Sequence, residues 1–201
     1  MAQLRTIVFF DGQNLYHGVK DAWGVTDASG NINNQNYFCP SFDVEQLADA
    51  IAHAKPSRII NQIRFYTGVP DPSCGQKQKF WHTFWTNKLR YLNTKGVIAY
   101  KGRVNREGHE KGVDVSIAID LIRFTYQESY EVAIIVSQDW DFGPAVKLAK
   151  RIAKDQNRQL EFESCFPYGS GSSSHRGIPG TVWRKIDQNL YDSCIDKRDY
   201  R

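Results

Sequence analysis

With 201 residues, the chain is long enough for one domain with a sizeable buried core and short for two. Apolar residues make up 41% and charged residues 24%, an ordinary balance for a soluble globular protein, and no apolar stretch approaches the roughly 20 residues of a membrane helix. The 26 basic against 22 acidic side chains leave a net charge of +4, compatible with a polyanionic partner without requiring one.

Cys39, Cys74, Cys165 and Cys194 show neither a C-x-x-C spacing nor a histidine at zinc-finger distance, which argues against a structural zinc site. The opening residues MAQLRTIVFFDGQN form a short apolar run broken at Asp11, and they read as a strand rather than a signal peptide. The expectation is a cytoplasmic protein with reduced thiols and no membrane association.

Along the chain, strand and helix alternate. Leu4 to Phe10 is apolar and β-branched, a buried strand closed by Asp11-Gly12. Asn14 can cap a short helix from Leu15 to about Trp23, and residues 24–41 read as a surface loop. Ser41 to Asp43 opens a helix with Val44, Leu47, Ala48 and Ile51 on one face, stopped near Pro56. A second strand spans about Arg58 to Tyr66. The helix from Gln76 to about Asn93 carries Trp81, Phe84, Trp85, Leu89 and Leu92 at helical spacing, a stripe that reads as core rather than as a base-stacking platform.

Val97 to Val104 is the third strand. A polar loop, Asn105 to Glu110, leads into a helix from Gly112 to about Tyr126. Glu131 to Val136 is the fourth strand, Phe142 to about Lys154 a helix, and Gln159 to Phe166 the fifth strand. A Gly/Ser-rich loop near 168–180 and an amphipathic helix around Val182 to Tyr191 complete the chain. Helices alternating with strands imply a single α/β domain over 1–201, a three-layer sandwich around a mainly parallel five-stranded sheet.

In such sheets, ligands bind at the carboxyl ends of the strands. Three acidic motifs map there. Asp11 follows the first strand in V-F-F-D-G-Q-N; Asp139 and Asp141 follow the fourth in I-I-V-S-Q-D-W-D-F. Asp114 sits in the first turn of the helix entered by K-G-V-D-V. Each also has a plain structural reading, as turn former, helix cap or helix-dipole partner. Their coincidence on one edge favours a shared site. Four carboxylates gathered together repel one another, and a divalent cation removes that repulsion. Oxygen-only ligands point to Mg2+ or Mn2+. Asp120 lies six residues after Asp114, about 240° around the helix, so it cannot share that face and reads as a structural hydrogen-bonding group.

The ordered trio D-G-Q-N (Asp11 to Asn14), K-G-V-D-V (Lys111 to Val115) and S-Q-D-W-D-F (Ser137 to Phe142) resembles the NYN, or LabA-like, family of PIN-like nuclease domains. The resemblance runs to about Phe166. It implies a PIN-like, Rossmann-like fold and a metal-dependent ribonuclease, with Asp11, Asp114, Asp139 and Asp141 as metal ligands and catalytic groups. It further implies that Asn14 and Ser137 support the ligands or contact phosphate, and that Lys111 neutralises a phosphate.

The chemistry expected is phosphodiester hydrolysis by a metal-activated water. Lys101, Arg103, Arg106 and Lys111 form a local basic patch, read either as backbone contacts or as a solvated loop. Trp140, between two candidate ligands, is placed to stack on a base, which makes single-stranded RNA the expected partner. His109 reads as solvated surface, and His175 and Arg176 as loop residues that close over substrate. Two other functions compete. A dehalogenase-type phosphatase needs a second aspartate where Gln13 stands. A non-catalytic RNA-binding or regulatory module gains nothing from clustered carboxylates facing a polyanion.

Overall fold

A computed structural model describes residues 3–26, 32–33, 42–105 and 110–201. Arg106, His109, Cys39 and most of the 24–41 loop lie outside the described residues. In chain order the elements are β1 (Leu4–Asp11), α1 (Gly12–Trp23), a short antiparallel pair β2 (Val25–Thr26) and β3 (Ile32–Asn33), α2 (Val44–His53), β4 (Arg58–Val69) and α3 (Gln76–Thr94). There follow β5 (Ile98–Val104), β6 (Glu110–Lys111), α4 (Val113–Tyr126), β7 (Val132–Val136), α5 (Gly143–Asp155), β8 (Glu161–Pro167), β9 (Val182–Ile186) and α6 (Gln188–Ser193).

The main sheet has seven strands in the order β6-β5-β4-β1-β7-β8-β9. All neighbours pair in parallel except β5 and β6, which are antiparallel. β1 is the switch point of the topology, because the chain builds outward from it first through β4 and then through β7. Its run Ile7 to Phe10 is fully buried and feeds both layers by alternation. Val8 and Phe10 join Leu15, Val19, Leu47, Leu89 and Leu92 of α1, α2 and α3. Ile7 and Phe9 join Ile117, Leu121, Val146 and Ala149 of α4 and α5 on the opposite face.

Seven strands replace the five expected. β6 occupies the end of the segment read as a polar loop, because two residues carry no periodicity to detect. β9 stands where a helix from Val182 was expected, and the helix runs only over Gln188–Ser193. The reason is tertiary. Glu163 on β8 is fully buried, and Arg184 of β9 reaches it at 2.8 Å. The sheet curls far enough for Arg58, at the start of β4, to meet the same carboxylate at 2.8 Å. A buried carboxylate must be paired, and the extended form of 182–186 brings one of its partners.

Two local expectations also change. α1 begins at Gly12, three residues before Leu15, and its cap is Asp11, whose carboxylate accepts the Asn14 N–H. The α3 stripe is only partly core: Leu89 and Leu92 are buried, whereas Trp81 is exposed. Asp120 takes the structural role expected of it, accepting hydrogen bonds from Arg64 and from the Tyr66 hydroxyl, each at 2.7 Å.

Candidate metal centre

β1 delivers Asp11 to the carboxyl edge of the sheet, on the α4 side by the alternation that buries Ile7 and Phe9 there. The chain turns directly into α1, and the turn requires Gly12. A Cβ at that position would lie 2.9 Å from the Tyr66 carbonyl oxygen and 3.0 Å from the Phe65 ring. Asp11 is only 3% exposed. One of its oxygens caps α1; the other accepts the Ser137 hydroxyl at 3.1 Å.

Ser137 opens the loop after β7. Its oxygen also accepts the Asp139 N–H at 3.1 Å, so one hydroxyl ties Asp11 to the segment carrying Asp139. Asn14 makes a second tie, its side-chain carbonyl accepting the Gln138 N–H at 3.1 Å. Asp139 caps the short turn 140–142 by accepting the Asp141 N–H at 2.9 Å. The first and third motifs are thus bound to each other by hydrogen bonds. Asp114 enters from α4, whose preceding Gly112 has φ 82°, a left-handed conformation that glycine adopts without strain.

A fifth carboxylate, missed by sequence reasoning, joins these four. Glu110 on β6 bonds the Gly68 N–H, and the Thr67 hydroxyl donates to it at 3.4 Å. A Cβ on Gly68 would lie 2.7 Å from the Glu110 side chain. No one-dimensional signal marks this residue, since the glycine that makes room for it is 42 positions away.

Burial pushes the Asp11 carboxyl up to about 7, with the charges of Asp114 and Asp139 adding to the rise against the Asn14 N–H. Burial likewise pushes Glu110 up to about 7, aided by Asp11 and Asp114. Asp114 is raised by partial enclosure and by the charges of Asp139 and Asp141. The five groups therefore form one electrostatic neighbourhood. Among the described residues no lysine or arginine forms an ion pair with any of them. An oxygen-only, like-charged donor set of this kind suits a hard divalent cation. The groups are not drawn into a closed cage: among the described residues no three acidic, histidine or cysteine side chains are arranged as a ready metal-binding cluster.

The basic residues lie apart from this centre. Lys101 and Arg103 alternate on β5 with Gly102, which faces Val113 of α4, so both stand on the α3 side of the sheet. Lys111 is opposite Arg103 in the β5–β6 register. All three are exposed. Trp140 is 50% exposed, and the Arg176 guanidinium lies 5.9 Å from its ring centre. The 168–180 loop is thereby brought to the site. It is pinned by Ile178, whose N–H donates to Ser164, and by His175 beside Tyr168.

Residues 5–157 match the NYN domain, a span that includes every motif just described. The chain belongs to the NYN domain family. That family is one of PIN-like nucleases. No curated protein matches the chain. A crystal structure of a protein of unknown function from Vibrio parahaemolyticus is similar over 93% of this chain and 95% of that one. Its TM-score of 0.53 at 19% identity shows a shared fold. No helix among the described residues is long and apolar enough to cross a membrane.

Proposed function

We propose that this NYN-domain protein is a metal-dependent nuclease hydrolysing the phosphodiester bonds of single-stranded RNA. One observation carries the reading: carboxylates from four separate segments share one electrostatic neighbourhood at the sheet's carboxyl edge, with no basic side chain among the described residues paired to them. Asp11, Asp114, Asp139 and Asp141 would hold Mg2+ or Mn2+, and Glu110 extends the donor set. When bound, such an ion supplies Lewis acidity and lowers the pKa of a coordinated water.

The protein's own groups do the positioning. Ser137 and Asn14 keep Asp11 and Asp139 in fixed relation. Asp11, the cap of α1, is the most enclosed of the centre's acidic groups. Trp140, with Arg176 against its ring, offers an unpaired base a stacking surface beside the carboxylates. Lys111, Lys101 and Arg103 supply phosphate contacts along the sheet edge, and Arg106, outside the described residues, is proposed to add to them.

Asp11→Asn and Asp139→Asn test the assignment directly. Each is expected to abolish manganese-dependent cleavage of a labelled RNA while the circular dichroism spectrum stays native. Undiminished cleavage in either variant would sink the assigned roles. Binding without cleavage by the wild type, at any divalent metal concentration, would instead favour a non-catalytic RNA-binding protein.

A further inference from the structure

A groove runs along the N-terminal half of α3, lined by Lys77, Gln78, Trp81 and Trp85 and also by Gln13 and Gly68. Gln13 lies in the first turn of α1, two residues after Asp11. Gly68 is the residue whose N–H holds Glu110. The groove therefore lies next to the carboxylate site.

Its aromatic walls are braced. Trp81 is 39% exposed, with Phe80 and Phe84 edge-on to it at centroid distances of 5.2 and 5.5 Å. Trp85 stacks on Phe65 of the core at 6.1 Å and meets Phe84 edge-on at 5.4 Å. Trp85 is thus anchored inward, while Trp81 is held open at low conformational cost. Positive charge accompanies the ring: Lys77 precedes Trp81 by one helical turn, and Lys101 and Arg103 stand on the same side of the sheet as α3. Asp71 also lines the groove, and its carboxylate accepts the N–H and hydroxyl of Ser73 at 2.9 and 2.7 Å, within its own turn.

Clustered carboxylates repel a polyanion, so the affinity of a strand has to come from groups that flank them. A braced indole beside a lysine is the pairing that binds a base and its phosphate without regard to sequence. We propose that this groove binds an unpaired base of the strand whose phosphodiester lies at the carboxylate centre, with Trp81 as stacking platform and Lys77 against the adjoining phosphate. The assignment rests on the nuclease reading of the neighbouring site. It also predicts a preference for single strands, since a paired base has no free face to offer.

The test uses the full chain in manganese with a fluorescent 2′-O-methyl oligouridine, which resists cleavage, and with a duplex of the same length. Trp81→Ala is expected to weaken single-strand binding about ten-fold with an unchanged salt slope, and to leave duplex binding as it was. Trp81→Phe should recover most of the loss. Lys77→Ala should weaken binding and flatten the log–log salt dependence by roughly 0.7. Should Trp81→Ala not fold, the Trp81→Phe affinity and the Lys77→Ala slope decide. Trp81→Ala binding like wild type, equal losses for single strand and duplex, or no binding by wild type would each overturn the groove. Cleavage of unmodified oligouridine is scored separately. Its absence alongside Trp81-dependent binding removes the nuclease reading and keeps the groove; its presence with Trp81-independent binding does the reverse.

Discussion

Asp11 shows how one residue serves two ends. It is the cap of α1, which fixes its backbone, and it is the most enclosed carboxylate of the centre, which raises its proton affinity. The sign of the resulting pH effect follows from linkage. Asp11 and Glu110 titrate near 7 in the folded protein, against about 4 for free carboxyls. Between those values the folded state holds more protons than the unfolded one, so stability falls as pH rises through this window. Asp43, Glu131 and Glu163 are shifted the other way, and their contribution is lost only as pH drops below the usual carboxyl range. The metal-free protein is therefore expected to melt at a lower temperature at about pH 7.5 than at about pH 5.5. Manganese should offset the loss at the higher pH, and Asp11→Asn should shrink the pH difference. A melting temperature that is flat across this range and insensitive to manganese would contradict the proposed centre.

At the scale of elements, β9 is the instructive case. Local pattern favours a helix from Val182, yet the segment is extended because Glu163 is buried and Arg184 is one of the cations that compensate it. Arg58 is buried in the same cluster, with Lys55 completing it. Replacing the acid alone removes the buried partner of Arg58 and leaves it only Glu161, which is partly open to water. Glu163→Gln is expected to cost about 3–5 kcal/mol in urea unfolding. The Arg5–Glu131 pair is a control, at 2.5 Å but partly open to water, and Glu131→Gln should cost no more than about 1 kcal/mol. Equal costs for the two substitutions would show that the cluster does not hold β9. The motifs at the ends of β1 and β7 were legible because each is contiguous. β6 and its Glu110 were not, because a two-residue strand is defined only by its partner β5.

For the whole molecule, the topology puts acid and base on different sides. The carboxylates lie on the α4 side of the carboxyl edge, whereas Lys101 and Arg103 lie on the α3 side. A strand that contacts both must pass around the edge formed by β5 and β6. Neutralising Lys101, Arg103 and Lys111 together should weaken binding for every sequence and flatten the log–log salt dependence by roughly 0.7 per lost contact. Trp140→Ala should remove about 1–3 kcal/mol of affinity with the salt slope unchanged. A slope indifferent to the charge removals would confine the strand to the carboxylate face.

The sequence by itself determined the alternating α/β architecture, the buried central strand and the three acidic motifs. These rest on runs of neighbouring residues, whose periodicity and turn chemistry act locally. Only the tertiary structure decided the seventh-strand edge at β9, the entry of Glu110 through the space left by Gly68, and the opening of Trp81 beside the site. The first two depend on what a distant segment places opposite, a buried charge to be paired or a missing Cβ, and the third on how much of α3 the sheet covers. Such pairings are set by packing in three dimensions, and no window along the chain contains both partners.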